Sequence, residues 1–343
     1  MAKRQKKKKD AKRAYVGIDI GGTKSLYALF DESFEVIAEE KLRTHPDKGG
    51  VRAFTRNMKR AVGVLAKEAR RRGYVIHYVG VGCAGDIDMT TGTIRQSPNL
   101  AILDGYPLKH QLEALTGAKV FVGHDVQAAL YGEFRKGAAR KARHVLGCWI
   151  GTGVGGALII DGHLHLGATG QAGDIGNYLL HAVDVSLELP RKEVLDNIAS
   201  RTAIAGDAAA LAAKHSAPSL EKLGGTDVRN IKASVLAESI RRGDKAVEKL
   251  VRSRASIVGA ALSNFVDFIN PDMVVLGGGL VEAMPQLMKR EIRKAIEAHA
   301  SPKSVKALKV VVAKLDGHAG TIGAACLALD MFSAAPPIDL GAL

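Results

Sequence analysis

Tyr15-Val16-Gly17-Ile18-Asp19-Ile20-Gly21-Gly22-Thr23-Lys24-Ser25-Leu26-Tyr27-Ala28-Leu29-Phe30 is the first of two stretches written to a common plan. The second is Val145-Leu146-Gly147-Cys148-Trp149-Ile150-Gly151-Thr152-Gly153-Val154-Gly155-Gly156-Ala157-Leu158-Ile159-Ile160. Each reads as strand, glycine turn, strand. Tyr15–Ile20 and Ser25–Phe30 flank Gly21-Gly22-Thr23-Lys24, while Gly151-Thr152-Gly153 and Gly155-Gly156 separate the second pair. Short apolar runs bounded by glycine predict buried strands. Glycine lets backbone N–H groups turn toward an oxyanion, because no Cβ blocks the approach. Two phosphate-cradling hairpins, one per half, predict a duplicated fold that closes on a nucleotide from both sides.

The 343 residues, 47% apolar and 24% charged, are enough for one or two real cores. The longest apolar candidate, 145–160, is broken by glycines and Thr152, which argues against a membrane span. The N-terminus lacks the apolar segment of a signal peptide. Cys83, Cys148 and Cys326 are odd in number and share no C-x-x-C spacing, which predicts inert thiols in a reducing, cytoplasmic setting. Residues 1–13 carry eight Lys/Arg and one Asp, half of the net charge of +14. Such a run predicts a disordered, solvated tail, able at most to make salt-sensitive, sequence-independent contacts with polyanions. Ala334-Ala335-Pro336-Pro337 predicts a frayed end.

Val51, Phe54, Met58, Ala61, Val62, Leu65 and Ala69 recur at helical spacing over Val51–Arg71, with Gly73 as the stop. Val75–Val81 reads as a strand, Leu108–Leu115 as a short helix, and Lys119–Val122 as a strand leading to Gly123-His124-Asp125. A helix over Val126–Arg135 then leaves Asp125 at the N-cap. In the second half a helical run is expected from about Arg191 to His215. A long helix spans Lys245–Ile269, stopped by Asn270-Pro271. A buried strand, Met273–Leu276, runs into Gly277-Gly278-Gly279, and a last helix begins near Asp316. Alternating strands and helices predict an α/β protein. The domain reading is a basic tail over 1–13, a small α/β domain over 14–126 and a larger one over 127–316. A final helix, about 317–332, completes the first domain.

Asp19 sets a carboxylate at a strand end beside free amides, an arrangement that wants a cation. A Mg²⁺-bound nucleotide supplies it, with Asp19 holding the metal through water. Thr23 and the amides of Gly21 and Gly22 would hold phosphate oxygens and Lys24 would offset charge. A plain hairpin with a chance lysine is the alternative. The Gly151-Thr152-Gly153 turn is richer in glycine than a tight turn needs, which favours a closely approaching ligand. Gly277-Gly278-Gly279 suits the adenosine side of ATP, although such runs are common at strand-to-helix turns. Asp125, stabilised as an anion at a helix N-terminus, can accept a hydroxyl proton as that oxygen attacks phosphorus. Taken alone it reads as a simple N-cap. Its place between two phosphate loops favours the base.

Asp19–Lys24, the Asp125 turn, Gly151–Gly156, Gly170–Asn177 and Met273–Gly279 together resemble the ROK family (repressors, open reading frames and sugar kinases), over about Tyr15 to Leu329. The resemblance implies the actin-like ATPase fold, the duplicated sugar kinase/ribonuclease H-like architecture with two domains around a cleft. It also implies Mg·ATP, a hexose or hexose derivative, and a homodimer. By that likeness Asp125 is the general base on the sugar 6-hydroxyl. Asn99, in Ser97-Pro98-Asn99-Leu100, follows the counterpart of the family's P-G-P-[VI]-D stretch (here Cys83–Asp88) and belongs to the sugar side.

The chain departs from the family pattern at the sugar. Family kinases usually have Asn where His124 precedes Asp125, and Glu-Ile-Gly-His where Asp174-Ile175-Gly176-Asn177 stands. They carry a cysteine-rich zinc loop ending in Cys-Leu-Glu, where this chain has Val194-Leu195-Asp196 and no cysteine over 178–196. Zinc is therefore not expected, since a structural site needs four N/S ligands. His124, Asp174, Asn177 and Asp196 all differ yet stay polar, and both aspartates are one methylene shorter than glutamate. A site built to bind hydroxyls rejects substrates that leave its polar atoms unpaired. The expectation is a kinase for a sugar that differs from plain glucose in size or stereochemistry. Competing readings are a sugar-binding or regulatory protein with weakened turnover, and a kinase using polyphosphate, which a basic chain would suit. The fourteen residues before Tyr15 are too few for the winged helix of family repressors, so no sequence-specific nucleic acid partner is expected. A nicotinamide dehydrogenase is disfavoured, since no acidic residue follows a Rossmann fingerprint at the right distance.

Overall fold

The computed structural model describes residues 12–44, 49–97, 100–180 and 193–333. The chain divides into two units: one ends at Gly132 and resumes at His318, and the other is Glu133–Gly317. The first unit begins with β1 (Lys12–Ile20), β2 (Lys24–Phe30), β3 (Val36–Arg43), α1 (Gly50–Arg71) and β4 (Tyr74–Cys83). A small hairpin, β5 (Asp86–Asp88) and β6 (Thr93–Gln96), leads to α2 (Leu108–Thr116), β7 (Lys119–His124) and α3 (Asp125–Arg135). The sheet order is β3-β2-β1-β4-β7, antiparallel over the first three strands and parallel from β1 through β4 to β7.

The second unit holds β8 (Val145–Ile150), β9 (Val154–Ile160), β10 (His163–His165), α4 (Leu195–Ala199), α5 (Arg201–Ala213), α6 (Pro218–Gly224) and α7 (Ala233–Arg241). It continues with α8 (Lys245–Ile269), β11 (Met273–Gly277), α9 (Gly279–Ala283), α10 (Pro285–His299), α11 (Pro302–Ala307) and β12 (Lys309–Val312). Its sheet, β10-β9-β8-β11-β12, repeats the first one's succession of antiparallel and parallel pairs. In both sheets the glycine turn therefore joins the central strand to its antiparallel neighbour. The chain then returns to the first unit as α12 (Ala319–Phe332).

Helices cover both faces of the first sheet's centre, which is why β1 is apolar nearly throughout instead of alternating. α1 buries Ala53, Phe54, Met58, Ala61, Val62, Leu65 and Ala69. Val51, placed on that face by its spacing, is 40% exposed, and Ala53 faces the core in its stead. α12 is buried from Ala319 to Ala328. A Cβ at Gly17 or Gly80 would collide with the carbonyls of Thr321 and Ala324, so this helix lies with its backbone against the strands. In the second unit Leu262 and Val266 of α8 share a core with Leu146, Ile150, Val274 and Leu276 of the sheet.

Four boundaries differ from the sequence reading. β1 begins at Lys12, inside the predicted tail, because Lys12 donates its N–H to the Gly73 carbonyl at 3.2 Å and pairs with β4 while both basic side chains stay exposed. The first unit ends within α3, at Gly132, and not after Val126: Gly132 and Ala128 pack against Ala319 and Gly323 of α12. The expected 191–215 helix is two helices, broken at Ser200, whose hydroxyl accepts the Ala203 N–H at 3.3 Å to cap α5. The last helix is a 3-10 turn, Asp316–His318, followed by α12.

Glu133, immediately after the first boundary, is fully buried. Its Oε1 accepts the N–H groups of Lys314 and Leu315 at 2.8 and 2.7 Å, and its Oε2 accepts that of Ala138 at 2.6 Å.

Candidate active site

In the first unit, Asp19, Gly82 and Gly123 are in register at the carboxyl ends of β1, β4 and β7. Gly82 lets the start of α3 come close, since a Cβ there would stand 3.2 Å from the Asp125 Cα. Asp19 and Asp125 are near enough to interact. Burial first, and the Asp125 charge second, raise the Asp19 carboxyl to about 7, with Lys24 opposing. Asp125 is the first residue of α3 and not the residue before it. Its Oδ1 accepts the Val126 N–H at 2.8 Å and lies 3.1 Å from His124 Nδ1. Its Oδ2 has no hydrogen-bond partner among the described residues, and the side chain is 28% exposed.

The first glycine turn is closed by the Gly21 N–H on the Lys24 carbonyl at 3.1 Å. The buried Thr44 hydroxyl donates to the Gly21 carbonyl and lies beside Ser25 Oγ, both at 2.7 Å, and the Thr44 N–H reaches the Thr23 carbonyl at 3.1 Å. With the carbonyls held, the N–H groups of Gly22 and Thr23 have no acceptor among the described residues.

The second turn is built the same way. Gly151 N–H closes on the Gly153 carbonyl at 2.8 Å, the Thr202 hydroxyl donates to the Thr152 carbonyl at 2.9 Å, and the Arg201 N–H donates to the Gly151 carbonyl at 2.9 Å. The N–H groups of Thr152 and Gly153 are likewise without an acceptor among the described residues. Each turn thus offers two adjacent amides, the arrangement that binds an oxyanion. A Cβ on Gly151 would meet nothing closer than 3.9 Å, so that glycine leaves space for a ligand.

The Gly277–Gly279 turn ends β11, beside β8. Packing accounts for two of its glycines: a Cβ on Gly277 would stand 2.5 Å from the Trp149 indole, and Gly278 has φ 88° against the Ile150 backbone. Gly279 faces open space.

Asp174, Asn177 and Asp196 belong together in the second unit. Asn177 Nδ2 donates to Asp174 Oδ2 at 2.6 Å, and both residues are exposed. Burial, and then the Asp174 charge, raise the Asp196 carboxyl, while its bond from the Val154 N–H acts the other way. His124 lies beside Asp125 in the first unit. Asn99 and residues 181–192, part of the 178–196 stretch, lie outside the described residues. Thr44, Arg201 and Thr202 went unread in the sequence; nothing local to a threonine signals a hydroxyl aimed at a distant carbonyl.

The ROK family model matches residues 15–331. The chain belongs to the ROK family. It is 30% identical to the glucokinase of Halalkalibacterium halodurans over 316 residues, 91% of this chain and 93% of that one. It is 28% identical to the glucokinase of Thermotoga maritima, over 91% and 96% of the two chains. The crystal structure of a ROK family glucokinase from Streptomyces griseus in complex with glucose and AMPPNP matches with a TM-score of 0.76 at 28% identity, covering 92% of this chain and 99% of that one. This ROK protein therefore has the actin-like ATPase fold, and its two glycine turns occupy equivalent places in the duplicated sheets. Relatives of this similarity place sugar phosphorylation by ATP within the family.

Proposed function

We propose that this ROK protein transfers the γ-phosphoryl group of ATP to a hydroxyl, the 6-hydroxyl, of a hexose or hexose derivative. The observation that carries the reading is the pair of like-built glycine turns, each with two unclaimed amides, one of them beside Asp19 and Asp125. The amides of Gly22, Thr23, Thr152 and Gly153 bind phosphate oxygens, and Lys24 adds positive charge. Asp125 Oδ1 is fixed by the Val126 amide, so Oδ2 takes the proton as the sugar oxygen bonds to phosphorus and the bond to the ADP oxygen breaks.

The residues present fit Mg²⁺. Two interacting carboxylates have Lys24 as the cation that counters the Asp19 charge, which leaves the cluster short of positive charge. Asp19 would hold the metal, through water; bound with the nucleotide, the ion neutralises charge on the transferring phosphoryl group.

His124 of the first unit and Asp174, Asn177 and Asp196 of the second are the residues we assign to the sugar. The Asn177–Asp174 bond supports selection for a sugar other than plain glucose, because a hydroxyl must match a pair already joined. The test is ADP release with Mg·ATP across hexoses, amino sugars and N-acetylated sugars, repeated with polyphosphate as donor. Turnover on one class establishes the reaction and the sugar. Silence across the panel, with nucleotide still bound, would favour a sugar-sensing protein.

A further inference from the structure

Asp196 meets the second glycine turn at two points. Its Oδ1 accepts the Val154 N–H at 2.5 Å and lies 2.7 Å from the place a Cβ on Gly153 would take. Gly153 does not have a positive φ, so no left-handed backbone calls for glycine there. A side chain there would have to displace the Asp196 carboxylate, which fills the space. That differs from the sequence reading, which reserved the space for a ligand.

The other ties come from the same short segment. Arg201 N–H holds the Gly151 carbonyl and Thr202 Oγ1 holds the Thr152 carbonyl, both from the first turn of α5. Ser200 caps that helix and donates its own N–H to the Asp196 carbonyl at 3.2 Å. Residues 196–202 therefore grip all three peptide groups of the turn, at the Gly151 and Thr152 carbonyls and at the Val154 N–H, and leave the N–H groups of Thr152 and Gly153 unclaimed. Of these grips the carboxylate is the charged one, and a charged acceptor makes the stronger bond to a backbone N–H. With the Val154 amide drawn to Asp196, the preceding amides of Thr152 and Gly153 keep a fixed direction. Asp196 is also within electrostatic range of Asp174, itself joined to Asn177.

We propose that Asp196 is a positioning residue of the donor turn: its carboxylate fixes the Thr152 and Gly153 amides for phosphate, so one side chain serves the donor cradle and borders the acceptor group. The proposal rests on reading this turn as part of the ATP site.

The test compares full-length wild type with Asp196→Asn and Asp196→Ala. Two quantities are measured: backbone amide exchange of the 150–155 peptide in ligand-free protein, and Kd for Mg·AMPPNP without sugar. Asp196→Ala should speed exchange at the turn at least about tenfold while the α8 peptide is unchanged. It should also weaken Mg·AMPPNP on the order of tenfold. Asp196→Asn, which keeps an accepting oxygen without the charge, should lie between wild type and Asp196→Ala in both. Unchanged exchange in Asp196→Ala overturns the proposal, as does loosening shared with α8, which marks global destabilisation. Tighter nucleotide binding in both variants also overturns it, since the carboxylate would then act only as a repelling charge. If wild type itself fails to bind Mg·AMPPNP, the donor reading falls, and the exchange comparison still decides whether Asp196 holds the turn.

Discussion

The Thr44 hydroxyl donates to the Gly21 carbonyl at 2.7 Å, and this bond holds the first glycine turn from the end of β3, across the sheet from Asp19. Thr44→Val keeps the shape and removes the donor, leaving the part-buried Gly21 carbonyl unpaired. The expected cost is about 1–3 kcal/mol of stability. The kcat/KM for ATP should fall on the order of tenfold, while Thr44→Ser recovers most of both. Denaturant midpoints and initial rates for the two variants check this, and equal rates for valine and wild type would count against a role in the turn.

Asp125→Asn retains the size and the Val126 contact but cannot take a proton. The expected fall in kcat is about 10²–10⁴-fold, with nucleotide affinity nearly unchanged. Calorimetry with Mg·AMPPNP beside steady-state rates separates the two. A rate close to wild type would remove Asp125 from the base role.

Asp19 predicts a pH effect of definite sign. Its carboxyl titrates near 3.8 when unfolded and at about 7 when folded, so the folded state binds the proton more tightly. Its burden on stability is absent below about pH 4, grows as pH rises through about 7 and is complete above it. Asp19→Asn should therefore stabilise the protein by a few kcal/mol at pH 8 and hardly at all at pH 4, while abolishing phosphoryl transfer. Urea unfolding at both pH values measures it; equal gains at both would contradict the account.

Glu133→Ala strips three part-buried backbone N–H groups of their acceptor. The expected loss is about 3–5 kcal/mol, with Glu133→Gln intermediate because its amide oxygen still serves Lys314 and Leu315 while its NH₂ opposes the Ala138 N–H. Thermal melts of the two variants decide the order.

The two glycine hairpins were legible because their information is local: apolar runs and glycines that coincide with β1–β2 and β8–β9. The stop of α8 was equally local, since Asn270 takes the left-handed conformation, φ 52°, just before Pro271. β3 was not legible. Val-Ile-Ala-Glu-Glu-Lys-Leu-Arg over 36–43 is an edge strand whose charged residues hide its period, so Thr44 at its end carried no signal. At Gly153 the glycine was read as room for a ligand, whereas the group beside it is the Asp196 carboxylate, which lies on α4, far along the chain. Distant contacts of that kind leave no pattern in the neighbouring residues.

α12, which lies with its backbone against β1 and β4, is made after the whole of the second unit. As the protein emerges from the ribosome, the strands β1 and β4 appear first, yet the helix that covers them follows only after the whole intervening unit. The second unit has all its segments earlier and can settle as a body while the first waits with one face of its sheet bare. A nascent chain released before Ala319 would expose Gly17 and Gly80 where Thr321 and Ala324 belong, which makes this protein's birth order a constraint on truncation, fusion and expression.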